Sequence, residues 1–175
     1  SYAFNGNNSV ENVTFEEGTT ITEIGNEAFS NCSSLKSVII PDSAKSICVY
    51  AFWECVSLKT VVIPYGVTDI FDGAFGHCVA LENIVIPDSV KMMGYSVFNR
   101  CRSLESVDLP EGITEIKNST FQECDALQKI IIPNSVATIE GYAFNGCSSL
   151  TEIVIPDGVA VLESGAFSSC EQLEN

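Results

Sequence analysis

Basic charge is what this chain has least of: 8 Lys and Arg stand against 23 Asp and Glu, for a net charge of −15. Nucleic acids and anionic membrane surfaces are held by clustered cations, so both are disfavoured as partners. The acids are spread through the whole sequence, as on an ordinary solvated surface. Histidine occurs once, at His77. No apolar run approaches the roughly 20 residues that a membrane-spanning helix needs, so this segment is not expected to insert into a bilayer. No Gly-rich phosphate loop is present, and proline is limited to six residues, all at one spacing.

Those prolines are Pro41, Pro64, Pro87, Pro110, Pro133 and Pro156, each 23 residues after the last. Phenylalanine keeps the same step from Phe29 to Phe167, cysteine from Cys32 to Cys170 and leucine from Leu35 to Leu173. A fixed period between 20 and 50 residues marks a solenoid, propeller or array. At 23 residues only one or two short elements fit per repeat, which leaves a solenoid. Residues 1–175 read as a single array, with 1–27 a degenerate first repeat and 28–175 regular 23-residue repeats. In the first repeat Asn7 stands for the cysteine and Glu16 for the proline, and two extra residues precede Ile21. The array opens inside a repeat (Tyr2-Ala3-Phe4-Asn5-Gly6 echoes Tyr142-Ala143-Phe144-Asn145-Gly146), and the expectation is a fragment of a longer chain.

One repeat reads as follows. Leu35 to Pro41 is β-branched and alternating and stops at a residue that cannot donate to a ladder, which predicts a strand with Leu35, Val38 and Ile40 inward. Pro-Asp-Ser or Pro-x-Gly supplies a turn. Two inward apolar residues three apart, such as Val67 and Ile70, predict a second short extended segment on the opposite wall. Phe and Cys at i and i+3 share one face of a helical turn, so one turn of α or 3₁₀ helix is expected to close the coil.

The run L-x-x-V-x-I-P-x-x-V-x-x-I-x-x-x-A-F-x-x-C resembles the BspA-like, treponemal-type leucine-rich repeats over about residues 21–175. The resemblance implies an α/β repeat solenoid: a right-handed leucine-rich-repeat solenoid with a parallel β-sheet on the concave face and short strands and helical turns on the convex side. It also implies a bacterial cell-surface or secreted location, and adhesion or protein binding as the role. Host matrix or plasma proteins are among the partners it suggests.

Seven of the eight cysteines form one column. Stacking at about 4.8 Å keeps their Cβ vectors parallel, whereas a disulfide needs them converging. A reduced, packed ladder is expected, with Cys48, outside the column, as the one reactive thiol. His77 shares its position with Asn31, Glu54, Arg100, Glu123, Gly146 and Ser169, so it reads as a variable surface site, and Cys78 beside it belongs to the interior. Asp42, Asp88, Glu111 and Asp157 follow prolines, but Tyr65 and Asn134 interrupt their row, and turn chemistry explains them better than calcium. No enzyme, metal site or cofactor is expected.

Two columns of the strand point outward. One reads Ser37, Thr60, Asn83, Ser106, Lys129, Glu152; the other Ile39, Val62, Val85, Asp108, Ile131, Val154. The second is apolar in five of six repeats, and apolar patches of that length mark interaction sites, although Val and Ile also suit any pleated surface. These twelve residues are the candidate protein-binding face, with specificity expected where Asp108 breaks the stripe near Arg100 and Arg102. A second candidate is the aromatic group Tyr50, Trp53, Tyr95 and Tyr142. The expected function is a non-enzymatic protein-binding module of an adhesin; the alternative is a structural spacer that presents another domain. Oligomeric state is not legible.

Overall fold

The computed structural model describes residues 1–174. The chain winds through about seven coils, each placing one strand on each of two walls. The first wall holds β1 (Asn12–Val13), β3 (Ser37–Ile39), β5 (Thr60–Val62), β7 (Asn83–Val85), β9 (Ser106–Asp108), β11 (Lys129–Ile131) and β13 (Glu152–Val154). The second holds β2 (Glu23–Ile24), β4 (Ser46–Ile47), β6 (Asp69–Ile70), β8 (Met92–Met93), β10 (Glu115–Ile116), β12 (Thr138–Ile139) and β14 (Val161–Leu162). All pairing is parallel. Ser37 lies opposite Thr60 and Lys129 opposite Glu152, a step of 23, whereas Asn12 lies opposite Ser37, a step of 25. The two additional residues of the first coil therefore sit between β1 and β2.

The strands are shorter than the Leu35–Pro41 run suggests, because the coil must turn on both sides of them. Val38, Val61, Ile84, Val107 and Ile130 face inward on the first wall, and Ile47, Ile70, Met93, Ile116 and Ile139 on the second. Between the walls runs a column of phenylalanines from Phe4 to Phe167, with centroids 5.1–5.7 Å apart. Neighbouring rings are tilted by no more than 13°. Offset-stacked rings contribute about 0.5–1.5 kcal/mol per pair beyond their burial. A single coil would leave its ring wet on both faces; stacking supplies the cover.

The helical turn is where expectation and structure part. Among the described residues there is no helix, so the α half of the α/β class is not realised. Ala28, Ser30 and Cys32 donate to carbonyls three residues back, as a 3₁₀ turn would. The alternate residues Glu27, Phe29 and Asn31 instead donate to Val49, Ala51 and Trp53 of the next coil at 2.7–3.0 Å. A helix would aim every N–H back along its own axis. Here half of them hold the next coil, and the chain accommodates this with left-handed residues such as Glu27 (φ 51°) and Asn31 (φ 59°).

Candidate functional site

The outward columns of the first wall stand in the open as strand alternation requires. Ile39, Val62, Val85, Ile131 and Val154 are 51–71% exposed, and Asp108 is exposed with them. In the polar column Thr60, Asn83, Ser106, Lys129 and Glu152 are exposed and Ser37 is half-buried. That column is partly knitted together: Ser37 donates to Asn12 at 2.6 Å and Ser106 to Asn83 at 2.7 Å. Shallow depressions lie along the face. One of about 360 Å³ runs between β5 and β7, lined by Thr60, Val62, Asn83 and Val85. Another of about 300 Å³ lies at β11 and β13, lined by Lys129, Ile131, Glu152 and Val154.

Arg100 and Arg102 do not join Asp108. Arg100 pairs with Glu123 at 3.2 Å, and Arg102 with Glu123 at 3.0 Å and Asp125 at 3.8 Å. Arg100 is itself a left-handed residue of the closing turn (φ 59°), and its side chain meets the next coil there, not the sheet. Among the described residues Asp108, Lys129 and Glu152 make no ion pair, which leaves two acids and one base unpaired on successive strands of the face.

The interior thiols are more than small hydrophobes. Each donates to the carbonyl oxygen of the phenylalanine one coil back: Cys55 to Phe29 at 3.1 Å, and Cys78 to Phe52 and Cys124 to Phe98 at 3.2 Å. All eight cysteines are free. Burial pushes Cys55 and Cys101 up to about 12 and holds Cys78 and Cys124 well above the ordinary thiol range. Cys48 is half-buried beside Ser46, and burial raises its thiol too. Cys78 thus bonds to Phe52 rather than to His77, and the His77 ring lies 4.4 Å from Trp53. Burial and the nearby Arg100 lower the His77 pKa. Neither residue is placed to activate the other.

Of the acids after the prolines, Asp88 reaches the next turn, where it accepts the Glu111 backbone N–H at 3.2 Å. Among the described residues no three His, Cys, Asp or Glu side chains converge on a point. The aromatics of the turn wall divide by neighbour. Tyr95 lies under the Lys117 ammonium at 5.8 Å. Tyr142 covers Gly165 and Tyr50 covers Gly73, while Trp53 covers Gly76 and meets Tyr50 edge-on at 75°. The left-handed positions and these ring-on-glycine pairs escaped the sequence reading. Their signal was present: no β-branched residue occurs at 27, 50, 73, 96, 119, 142 or 165.

This architecture defines a parallel-stranded repeat solenoid whose sheet offers an extended surface, a form that repeat proteins use for protein partners. More narrowly, the chain belongs to the BspA-type leucine-rich repeats: the model of the "BspA type Leucine rich repeat region" matches six copies across residues 1–125 and 68–175. A leucine-rich repeat protein from Bacteroides ovatus is 34% identical over 93% of this chain with a TM-score of 0.88. The T. pallidum leucine-rich repeat protein is 34% identical over 91% of this chain with a TM-score of 0.86. This chain spans 42% of the former and 75% of the latter. The pneumococcal vaccine antigen PcpA shares the fold at 23% identity and a TM-score of 0.68, over 92% of this chain and 43% of that one. No curated protein matches. No helix among the described residues is long and apolar enough to cross a membrane.

Proposed function

We propose that this chain is a non-enzymatic protein-binding module of a bacterial cell-surface or secreted adhesin, and that its partner docks on the first wall. The observation that carries the reading is the apolar stripe Ile39, Val62, Val85, Ile131 and Val154, each more than half exposed on a sheet whose inward residues Val38, Val61, Ile84 and Ile130 are buried. A partner covering it gains about 25 cal/mol for each Å² of apolar surface removed from water. Asp108 and Lys129, unpaired among the described residues, give register and selectivity through charge complementarity. Family membership and the bacterial origin of the similar structures support the setting.

A second reading, a spacer that holds another domain away from the cell, is favoured by the unbroken phenylalanine column, which makes the array one continuous packed rod. Binding separates the two. The fragment is tested against host matrix and plasma proteins beside a variant with Val62, Val85 and Ile131 changed to Lys. Saturable binding that the variant loses supports docking on the first wall. Binding that survives the three lysines moves the site elsewhere, and a folded fragment that binds nothing favours the spacer.

A further inference from the structure

The turn wall carries a cavity that the sheet face does not explain. Its volume is about 310 Å³ and it is lined by Glu27, Ser30, Asn31, Tyr50 and Trp53. It is open to solvent, as are the depressions of the sheet face, and of a size to take a headgroup or a side chain.

Four successive coils build it. The third supplies two walls, since the Tyr50 and Trp53 rings stand 5.1 Å apart at 75° and form a corner. The fourth backs them: a Cβ on Gly73 would come within 2.4 Å of Tyr50, one on Gly76 within 2.2 Å of Trp53, and His77 packs against Trp53 from the same coil. A side chain at either glycine would displace the ring that covers it. The second coil supplies the opposite side with Glu27, Ser30 and Asn31. The first holds the carboxylate in place, because Tyr2 donates to Glu27 Oε1 at 3.1 Å and Asn5 to Oε2 at 3.2 Å. Among the described residues no lysine or arginine pairs with Glu27.

Two aromatic faces at a right-angle corner and a fixed carboxylate are complementary to one chemistry, an organic cation. Ring quadrupoles attract a positive charge placed over their faces, and Trp and Tyr do so best when the cation sheds its water. The carboxylate adds direct charge pairing, in a chain of net charge −15 that draws cations from a distance. An alkylated ammonium fits better than a metal ion, because the cavity presents one carboxylate and two apolar walls instead of converging oxygens. We propose that the cavity between Glu27 and the Tyr50–Trp53 corner binds an alkylammonium group.

The array contains its own control. Tyr142 covers Gly165 as Tyr50 covers Gly73, but the residue three further on is Asn145, so no second wall forms there. Among the described residues the corner occurs once.

Trp53 is the single tryptophan, so its fluorescence reports occupancy directly. The experiment titrates the folded chain with choline, with Nα-acetyl-lysine amide and with 3,3-dimethylbutan-1-ol, in which carbon replaces the charged nitrogen of choline. The expected result is a saturable change with choline, the lysine arm reporting whether a primary ammonium also enters, and none with the neutral alcohol. Glu27→Gln and Tyr50→Ala each weaken binding by about tenfold, and Tyr142→Ala leaves it unchanged. Circular dichroism confirms that each variant keeps its fold. A response to the neutral alcohol equal to that of choline overturns the proposal, since the cavity is then an apolar slot. So does a choline response that survives both Glu27→Gln and Tyr50→Ala, or no saturable response to either cation.

Discussion

The Cys101 thiol donates a hydrogen bond to the carbonyl oxygen of Phe75, one coil back, at 3.2 Å. Six other cysteines repeat this bond along the array, from Cys32 on Phe4 to Cys170 on Phe144. Only a protonated sulfur donates, so the fold depends on the thiols staying neutral.

Alkaline stability follows from that dependence. Cys55 and Cys101 are raised to about 12 in the folded chain, by burial first, and Cys78 and Cys124 are raised well above their ordinary value. A thiol in the unfolded chain ionises near about 8.5. With the folded pKa above the unfolded one, this contribution is complete below about pH 8.5 and is lost as pH rises toward 12. Each such thiol steepens the loss by about 1.4 kcal/mol per pH unit in that window. Urea midpoints measured from pH 8 to 11 should fall steeply, and less steeply for Cys101→Ala. A wild-type midpoint that stays level across the window would refute the neutral-thiol account.

Reactivity gives an independent reading of the same column. An aromatic disulfide reagent should find few thiols in the native protein, the half-buried Cys48 first, and all eight after denaturation. Cys48→Ser should remove the fastest native phase. Rapid reaction of Cys78 or Cys101 in the native state would mean that the column opens.

Ser96 tests the left-handed turn. Its φ is 55° and its N–H donates to Asn118 of the next coil at 3.0 Å. Ser96→Val should cost about 1–2 kcal/mol, since a left-handed residue with a branched Cβ crowds its own carbonyl. Ser96→Gly should be neutral or stabilising by up to about 1 kcal/mol. Equal stabilities for the two in chemical denaturation would show that the turn relaxes to another conformation.

Neighbours on one strand separate core from surface. Ile84 is 3% exposed and Val85 is 65% exposed. Ile84→Ala should lose about 2–5 kcal/mol, whereas Val85→Lys should stay within about 0.5 kcal/mol of the parent. Comparable losses for both would mean that the stripe is packed in solution, against a second copy or another part of the chain.

Much of this molecule was open to reading from the 23-residue step. The step places Leu35, Val38, Ile40, Phe52 and Cys55 inside and Ile39 and Val62 outside, and the structure buries and exposes them accordingly. Parallel stacking permits no other outcome: each residue meets its own equivalent one coil away, so one column's polarity decides a whole wall. The role of the turn was not open in this way. Phe and Cys at i and i+3 fit a helix and fit a chain that gives alternate N–H groups to the next coil, and only the stacked neighbour decides between them. Arg100 and Arg102 were legible in principle, since Glu123 and Asp125 stand one 23-residue step on and the structure pairs them there. The sequence by itself determined the period, the inward and outward columns and the family. Tertiary structure decided the local geometry: the thiol bonds, the left-handed turns, the rotamers that close the ion pairs and the corner of Tyr50 and Trp53. A repeat period sets which residues are neighbours, but backbone dihedrals and side-chain directions depend on how the packed coils fit together.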